Sequence, residues 1–340
     1  MSFLSGETSP DHVPGEHLAK WAQSLPKVAL HRHLEGSLRL RTLAEIASEY
    51  HITLPVYELE ALRPYVQITS DPPNFHNYIG KFVLLRHFYV SQAIIQRIVC
   101  ETIEDAARDN VRYFELRFNP VALSRICNFA LNDAVEWVIA AASKAQEVYH
   151  CRTCLILQIP REDPVAIANE IVDIAIAHFG PQVRAIDLAG DEVNYSPQLF
   201  AEPFRRAKQA GLHITAHGGE ALGAESVRNA LLSLDAERIG HGIRSIEDRS
   251  VLQMLQERGT TLEVCPTSNF QTGAAPNPPE HPLYDLHHLG IRVTINTDNP
   301  SISATSLSNE YVVSVRDIGL TPGAIYRALR NAVDAAWELQ

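Results

Sequence analysis

The chain is short of positive charge, of cysteine and of uninterrupted apolar sequence. It sets 29 Lys and Arg against 40 Asp and Glu, a formal net charge of -11. That balance argues against a protein whose affinity comes from nucleic-acid phosphates, which call for a basic surface. No stretch approaches the roughly 18 consecutive apolar residues that cross a bilayer. The opening MSFLSGETSPDHVPGEHLAKW lacks the basic start and apolar core of a secretory signal. A cytoplasmic protein with a small-molecule partner, and neither membrane nor nucleic acid, is the expectation. Five cysteines, an odd number spread from Cys100 to Cys265, form no disulfide framework, and only Cys151 and Cys154 are close in sequence.

What is present is an ordinary globular composition, 46% hydrophobic and 20% charged over 340 residues, the size of one α/β barrel. Residues 1–20 read as a polar, mobile leader and 21–340 as a single domain, without repeat, linker or low-complexity tract. Eight short apolar or β-branched runs recur: KVALHRH, VRYFELRF, CLILQI, RAIDLAG, HITAHG, RIGHG, TLEVCPTSN and RVTINTDNP. Between them apolar residues fall three and four apart, as in Leu43, Ile46, Ala47 and Tyr50, or Val251, Leu252 and Leu255. Strands alternating with helices imply parallel pairing, and eight such units make a TIM (β/α)8 barrel, with an open doubly wound sheet as the alternative. Thr321 and Pro322 start a closing helix carrying Ile325, Leu329, Val333 and Trp337. Residues 51–92 exceed one crossover. Phe75, Tyr78, Ile79 and Phe82, at helical spacing there, predict an extra helix over the C-terminal mouth, either as core or as a substrate-facing lid.

The first run ends on a pair, His31 and His33, which alternation puts on one face with Arg32 turned away. His217, His241 and Asp298 end the fifth, sixth and eighth runs, and the C-terminal strand ends of such a barrel converge on one site. Four histidines and an aspartate crowded there need a partner to satisfy them. One Zn²⁺ held by His31, His33, His217 and Asp298 supplies it and leaves His241 for the bound water. The fourth run, RAIDLAGDE, lacks the lysine that commonly bridges two metals, which favours one, although Asp187, Asp191 and Glu192 keep the second open. Glu220, three residues after His217, suits a general acid if its pocket is dry, and a helix-start carboxylate otherwise.

In order, HRHLEGSL, IDLAGDE, TAHGGE, RIGHGI, CPTSN and NTDNP resemble the motifs of the adenosine deaminase family over residues 27–335. The resemblance implies a zinc-dependent barrel that converts the 6-amino group of a purine nucleoside, adenosine or deoxyadenosine first, to a 6-oxo group with release of ammonia. It also implies roles for His31, His33, His217 and Asp298 as zinc ligands, and for Glu220 as the donor to ring N1. His241 orients the hydroxide, backbone Gly190 meets N3, and the Phe75–Phe82 stripe is the apolar lid. Two positions depart from many members. Asn299 replaces a second aspartate facing N7, where an amide N–H can donate without being protonated. Glu35 stands where an aspartate binds the ribose 5′-hydroxyl, leaving aminodeoxyfutalosine, adenine and modified adenosines as alternative substrates. His33-Leu34-Glu35 also fits half of the small zinc nucleobase deaminase signature, but Cys151-Arg-Thr-Cys154 lacks that signature's proline. A different amidohydrolase and a non-catalytic metal protein on the same barrel complete the alternatives.

Overall fold

The computed structural model describes residues 13–337. Eight strands form one sheet: β1 Lys27–His33, β2 Val111–Phe118, β3 Arg152–Pro160, β4 Val183–Ala189, β5 His213–Gly218, β6 Arg238–His241, β7 Thr261–Val264 and β8 Arg292–Ile295. They lie in sequence order and every neighbouring pair is parallel. All seven residues of β1 are buried, because helices cover one face and the barrel interior the other, which is why these strands read as continuous runs. The sheet curls so that its ends meet. Asp298 N donates to His31 O at 3.1 Å and His33 N donates to Asp298 O at 2.9 Å, leaving a single parallel bridge, Arg32 to Asp298, between the last strand's continuation and the first. The chain is therefore a (β/α)8 barrel rather than an open sheet.

The pairing of β1 with β2 slips between Ala29 and Arg32. Asn296 Oδ1 accepts from both Leu30 N, at 2.9 Å, and His31 N, at 3.1 Å, so the irregularity leaves neither amide unpaired. Bulges of this kind re-aim a side chain beside a site, and here the one re-aimed is His31. Arg32 points outward as its alternation requires, with its guanidinium over the Phe114 ring at 5.5 Å and Nε donating to Ser37 Oγ at 3.1 Å.

Four boundaries differ from the sequence expectation. A helix runs from Gly15 to Ser24, so the supposed leader is structured over its last residues. Leu18 and Ala22, four apart, are the buried stripe that seats this helix on the helix Leu307–Arg316; residues 1–12 lie outside the described residues. The single helix expected over Phe75–Phe82 is two short ones, Phe75–Gly80 and Phe82–Leu85. They break at Lys81, whose ammonium turns away to Pro64 O and Asp71. Asp298 lies three residues past the end of β8. The closing helix, with Ala324 N donating to Thr321 Oγ1, ends at Ala335. Trp337 has left it and lies under the barrel floor, its ring centroid 3.4 Å from the Arg238 guanidinium carbon. Among the described residues no helix is long and apolar enough to cross a membrane, and none of the five cysteines forms a disulfide.

Candidate active site

His31, His33 and His217 rise from β1 and β5 with one feature in common: each spends its Nδ1 on a partner that can accept. His31 Nδ1 faces Glu263 Oε2 at 2.9 Å, His33 Nδ1 faces Gln158 Oε1 at 2.8 Å, and His217 Nδ1 faces Asp187 Oδ1 at 3.1 Å. A carboxylate oxygen, like the amide oxygen of Gln158, only accepts, so the proton of each neutral ring sits on Nδ1 and the lone pair on Nε2. Those three Nε2 atoms converge. His33 Nε2 and His217 Nε2 are 3.2 Å apart, and Asp298 Oδ1 is 3.4 Å from His31 Nε2 and 3.2 Å from His33 Nε2. Lone pairs aimed at one another repel, and His31 Nε2 is buried with no hydrogen-bond partner at all. A cation at their centre resolves both, and carboxylate behind imidazole is the usual support of a metal-bound histidine. The four ligand atoms lie within 4.8 Å of one another.

Burial favours the neutral form of His33 and His217, the form in which a histidine binds metal. It pushes His217 down to about 4 and lowers His33. In Asp298 burial works the other way, but the proximity of His31 and His33 outweighs it and holds the carboxyl well below its usual range. Its second oxygen is anchored by Ser268 Oγ at 2.7 Å and Tyr78 Oη at 3.3 Å, which leaves Oδ1 turned to the histidines. Asp298 and His241 both adopt left-handed backbone, φ +59° and +60°, a conformation that non-glycine residues hold only where the surroundings enforce it.

Glu220 lies across this cluster on the turn leaving β5. Burial, then the charges of Asp298 and Glu192, raise its carboxyl well above the usual range, so that it keeps its proton near neutrality. Its position is set by Glu192, whose carboxylate accepts four successive backbone N–H groups, from Gly219 at 2.6 Å, Glu220 at 3.2 Å, Ala221 at 2.7 Å and Leu222 at 3.1 Å. Such a nest of amides fixes an anion, and the anion in turn fixes the loop. Glu220, His241 and Asp298 also come within reach of one ion, but a protonated carboxyl is a poor ligand. Asp187, Asp191 and Glu192, the candidates for a second-metal bridge, are engaged elsewhere, Asp187 with His217 and Arg117, Asp191 with Val193 N and Asn194, and Glu192 with the amides.

Around these groups opens a cavity of about 390 Å³. The structure brings together on its walls His33, Glu35, Phe75, Tyr78, Ile79, Phe82, Gly190, His217, Glu220, His241, Asp298 and Asn299, with His31 buried just beneath. Phe75, Ile79 and Phe82 supply the apolar edge, but Tyr78 is more than a lid, since its hydroxyl reaches Asp298 and, at 3.0 Å, Ser303 Oγ. Gly190 has φ +105°, and a Cβ there would come within 2.4 Å of the Glu162 carboxylate; only glycine fits. Asn299 presses on Gly36, where a Cβ would meet its Oδ1 at 2.0 Å, and that oxygen has no hydrogen-bond partner. Glu35 accepts from Asn119 N at 2.6 Å, and burial pushes its carboxyl up to about 7.

Gln158, Glu263, Ser268 and Asn269 escaped the sequence reading, and Glu192 enters it only as a candidate metal bridge, not as the anchor of the Glu220 loop. For Glu263 a signal existed: it is a charged residue in the middle of TLEV, a strand buried at every position. Cys151 and Cys154 belong to neither candidate metal group, which removes the thiolate alternative.

A barrel of this kind, with a cation site at the C-terminal strand ends and a protonated carboxyl facing it, defines a metal-dependent hydrolase of the amidohydrolase type. Residues 26–339 match the adenosine deaminase family model. An adenosine deaminase of Shigella flexneri serotype 5b is 37% identical over 314 residues, 92% of this chain and 94% of that one. The chain belongs to the adenosine deaminase family. Among solved structures, an adenine deaminase from Arthrobacter aurescens superposes with a TM-score of 0.85 at 27% identity, covering 92% of this chain and 94% of its own. An amidohydrolase from Burkholderia ambifaria with bound Zn superposes at 0.86 with 26% identity, covering 97% and 90%.

Proposed function

We propose that this protein is a hydrolytic deaminase using one zinc ion per chain, removing the 6-amino group of a purine nucleoside, adenosine or deoxyadenosine first. The observation that carries the reading is the convergence in one cavity of three histidine Nε2 atoms and Asp298, faced by the buried carboxyl of Glu220, whose pKa burial raises above its usual range. A zinc ion held by His31, His33, His217 and Asp298 would supply Lewis-acid activation of a water molecule. The chain's own groups do the rest. Glu220 delivers its proton to ring N1, which makes C6 electrophilic as the water oxygen adds. Of the water's two protons one goes to the 6-amino nitrogen, which leaves as ammonia when the C6–N bond breaks, and the other restores the Glu220 carboxyl as the 6-oxo group forms. His241, with Nε2 3.5 Å from Glu220 Oε2, faces the same carbon. Backbone Gly190 and the Asn299 amide hold N3 and N7, and Phe75, Tyr78, Ile79 and Phe82 keep bulk water from the purine.

The choice of a nucleoside rests on Glu35. A buried carboxyl in the cavity wall is a partner for a ribose hydroxyl, whereas it repels a 5′-phosphate. A loss-of-absorbance assay near the adenine band, run on adenosine, deoxyadenosine, methylthioadenosine, adenine and aminodeoxyfutalosine, is expected to show highest kcat/KM for adenosine or deoxyadenosine. Preference for another compound would replace the substrate and keep the chemistry; no ammonia from any aminopurine would overturn the function.

Asp298→Ala is expected to lose metal and activity together, because the two imidazoles within 3.4 Å then face each other without the ligand that balances the cation's charge. Metal analysis after dialysis checks this: a variant that keeps a full equivalent of zinc would remove Asp298 from the ligand set.

A further inference from the structure

One hydrogen-bonded chain outside the cavity decides which nitrogen of His241 carries its proton. It starts at a backbone amide: Leu283 N donates to His281 Nδ1 at 3.0 Å. A nitrogen that accepts carries no proton, so His281 is neutral with its hydrogen on Nε2. Burial reinforces this, pushing its pKa down to about 3. The ring is 1% exposed and packs edge-on against Phe270, with centroids 5.2 Å apart. Its Nε2 faces Asn269 Oδ1 at 3.3 Å. Asn269 is fully buried, and its amide nitrogen faces His241 Nδ1 at 3.0 Å. Turning that amide over would set an Asn269 N–H against the His281 N–H, donor against donor between two buried side chains. His241 Nδ1 must therefore accept, and its Nε2, 3.5 Å from Glu220 Oε2, bears the hydrogen.

We infer that His281 and Asn269 are positioning residues that hold His241 in the Nε2–H tautomer, the reverse of the three ligand histidines, so that it meets the reacting oxygen as a hydrogen-bond donor. The meaning of that donor rests on the proposed deamination; the tautomer itself does not. A neutral imidazole with its hydrogen on Nε2 has no lone pair there to accept another proton. The effect of His241 on the reaction is then electrostatic, a donor aimed where negative charge develops on oxygen.

The test reads the tautomer directly, by nitrogen NMR of zinc-loaded protein carrying ¹⁵N-histidine, with the His241 signals assigned by their loss in His241→Gln. The expected result is a protonated Nε2 and a bare Nδ1. Asn269→Asp keeps the shape but can only accept, so it draws the hydrogen of His241 to Nδ1. It should lower kcat about 100-fold or more while KM stays within about 3-fold, since a wrong histidine tautomer is known to lower turnover by up to ~10⁴ where geometry is intact. His281→Gln, whose amide can still donate to Asn269, should keep the tautomer that His281→Ala loses, and should lose less rate. A wild-type His241 protonated on Nδ1 overturns the inference without any variant. So does an Asn269→Asp protein that keeps Nε2–H, or one that switches tautomer and keeps its kcat. If the wild-type protein releases no ammonia from any aminopurine, the function fails while the spectra still decide the tautomer.

Discussion

Glu220→Gln is expected to keep its metal and to lose turnover by about 10²–10⁴-fold, the usual contribution of a placed general acid. The substitution preserves volume and one acceptor oxygen and removes only the transferable proton. Glu192 holds the loop through its backbone amides, not through the Glu220 side chain, so the variant keeps its geometry. The same residue sets the alkaline side of the pH profile. Its pKa is raised by burial and by the Asp298 and Glu192 charges. The active, protonated form is thus present through neutrality and is lost as pH rises through that raised value. In Glu220→Gln the limb belonging to this group disappears. Metal content with single-turnover kinetics checks the first claim. Near-normal turnover would remove the general acid, and loss of zinc would move Glu220 into the ligand set.

Glu263→Ala is expected to destabilise the barrel by about 3–5 kcal/mol, because it leaves two buried cations without their shared partner. Arg117 reaches Glu263 at 2.6 Å and Asp187 at 3.0 Å, and Arg238 Nε reaches Glu263 at 2.7 Å and its guanidinium also pairs with Glu115, all within the barrel. Glu263 and Asp187 in turn support His31 and His217. Removing the carboxylate behind His31 should also weaken metal affinity 10–100-fold. Chemical denaturation of the metal-free protein measures the first effect and chelator competition the second. An unfolding free energy changed by less than about 1 kcal/mol would show that Arg117 and Arg238 find other partners. Glu263→Gln, which keeps the volume and one acceptor, should lie between.

The strands were legible because burial on both faces turns each into an apolar run, and four of the sharpest chemical positions stood out because histidine ends those runs. The ligand pair His31 and His33 follows from alternation alone, although the bulge that aims His31 does not. The interior charges were harder to see. Arg117, Asp187 and Glu263 look like interruptions in a strand until the barrel closes and sets them opposite one another. Trp337 follows Val333 at helical spacing, so the sequence continues a stripe that the chain abandons at Ala335 to reach the Arg238 guanidinium. Contacts such as His281 to Asn269 obey no period, and this one arises where the connection from β7 to β8 folds back on its own first helix, Pro266–Gln271.

The seam of the barrel is stitched by the ligands' own backbone: Asp298 N to His31 O, and His33 N to Asp298 O. Ring closure and ligand convergence are consequently one event in folding. A chain whose last strand has not docked has His31 and His33 on one edge, and lacks the carboxylate that completes the set. Such an intermediate can capture a metal only weakly. Since an ion that prefers the closed form adds its binding free energy to that form alone, the metal acts as a clasp on the seam.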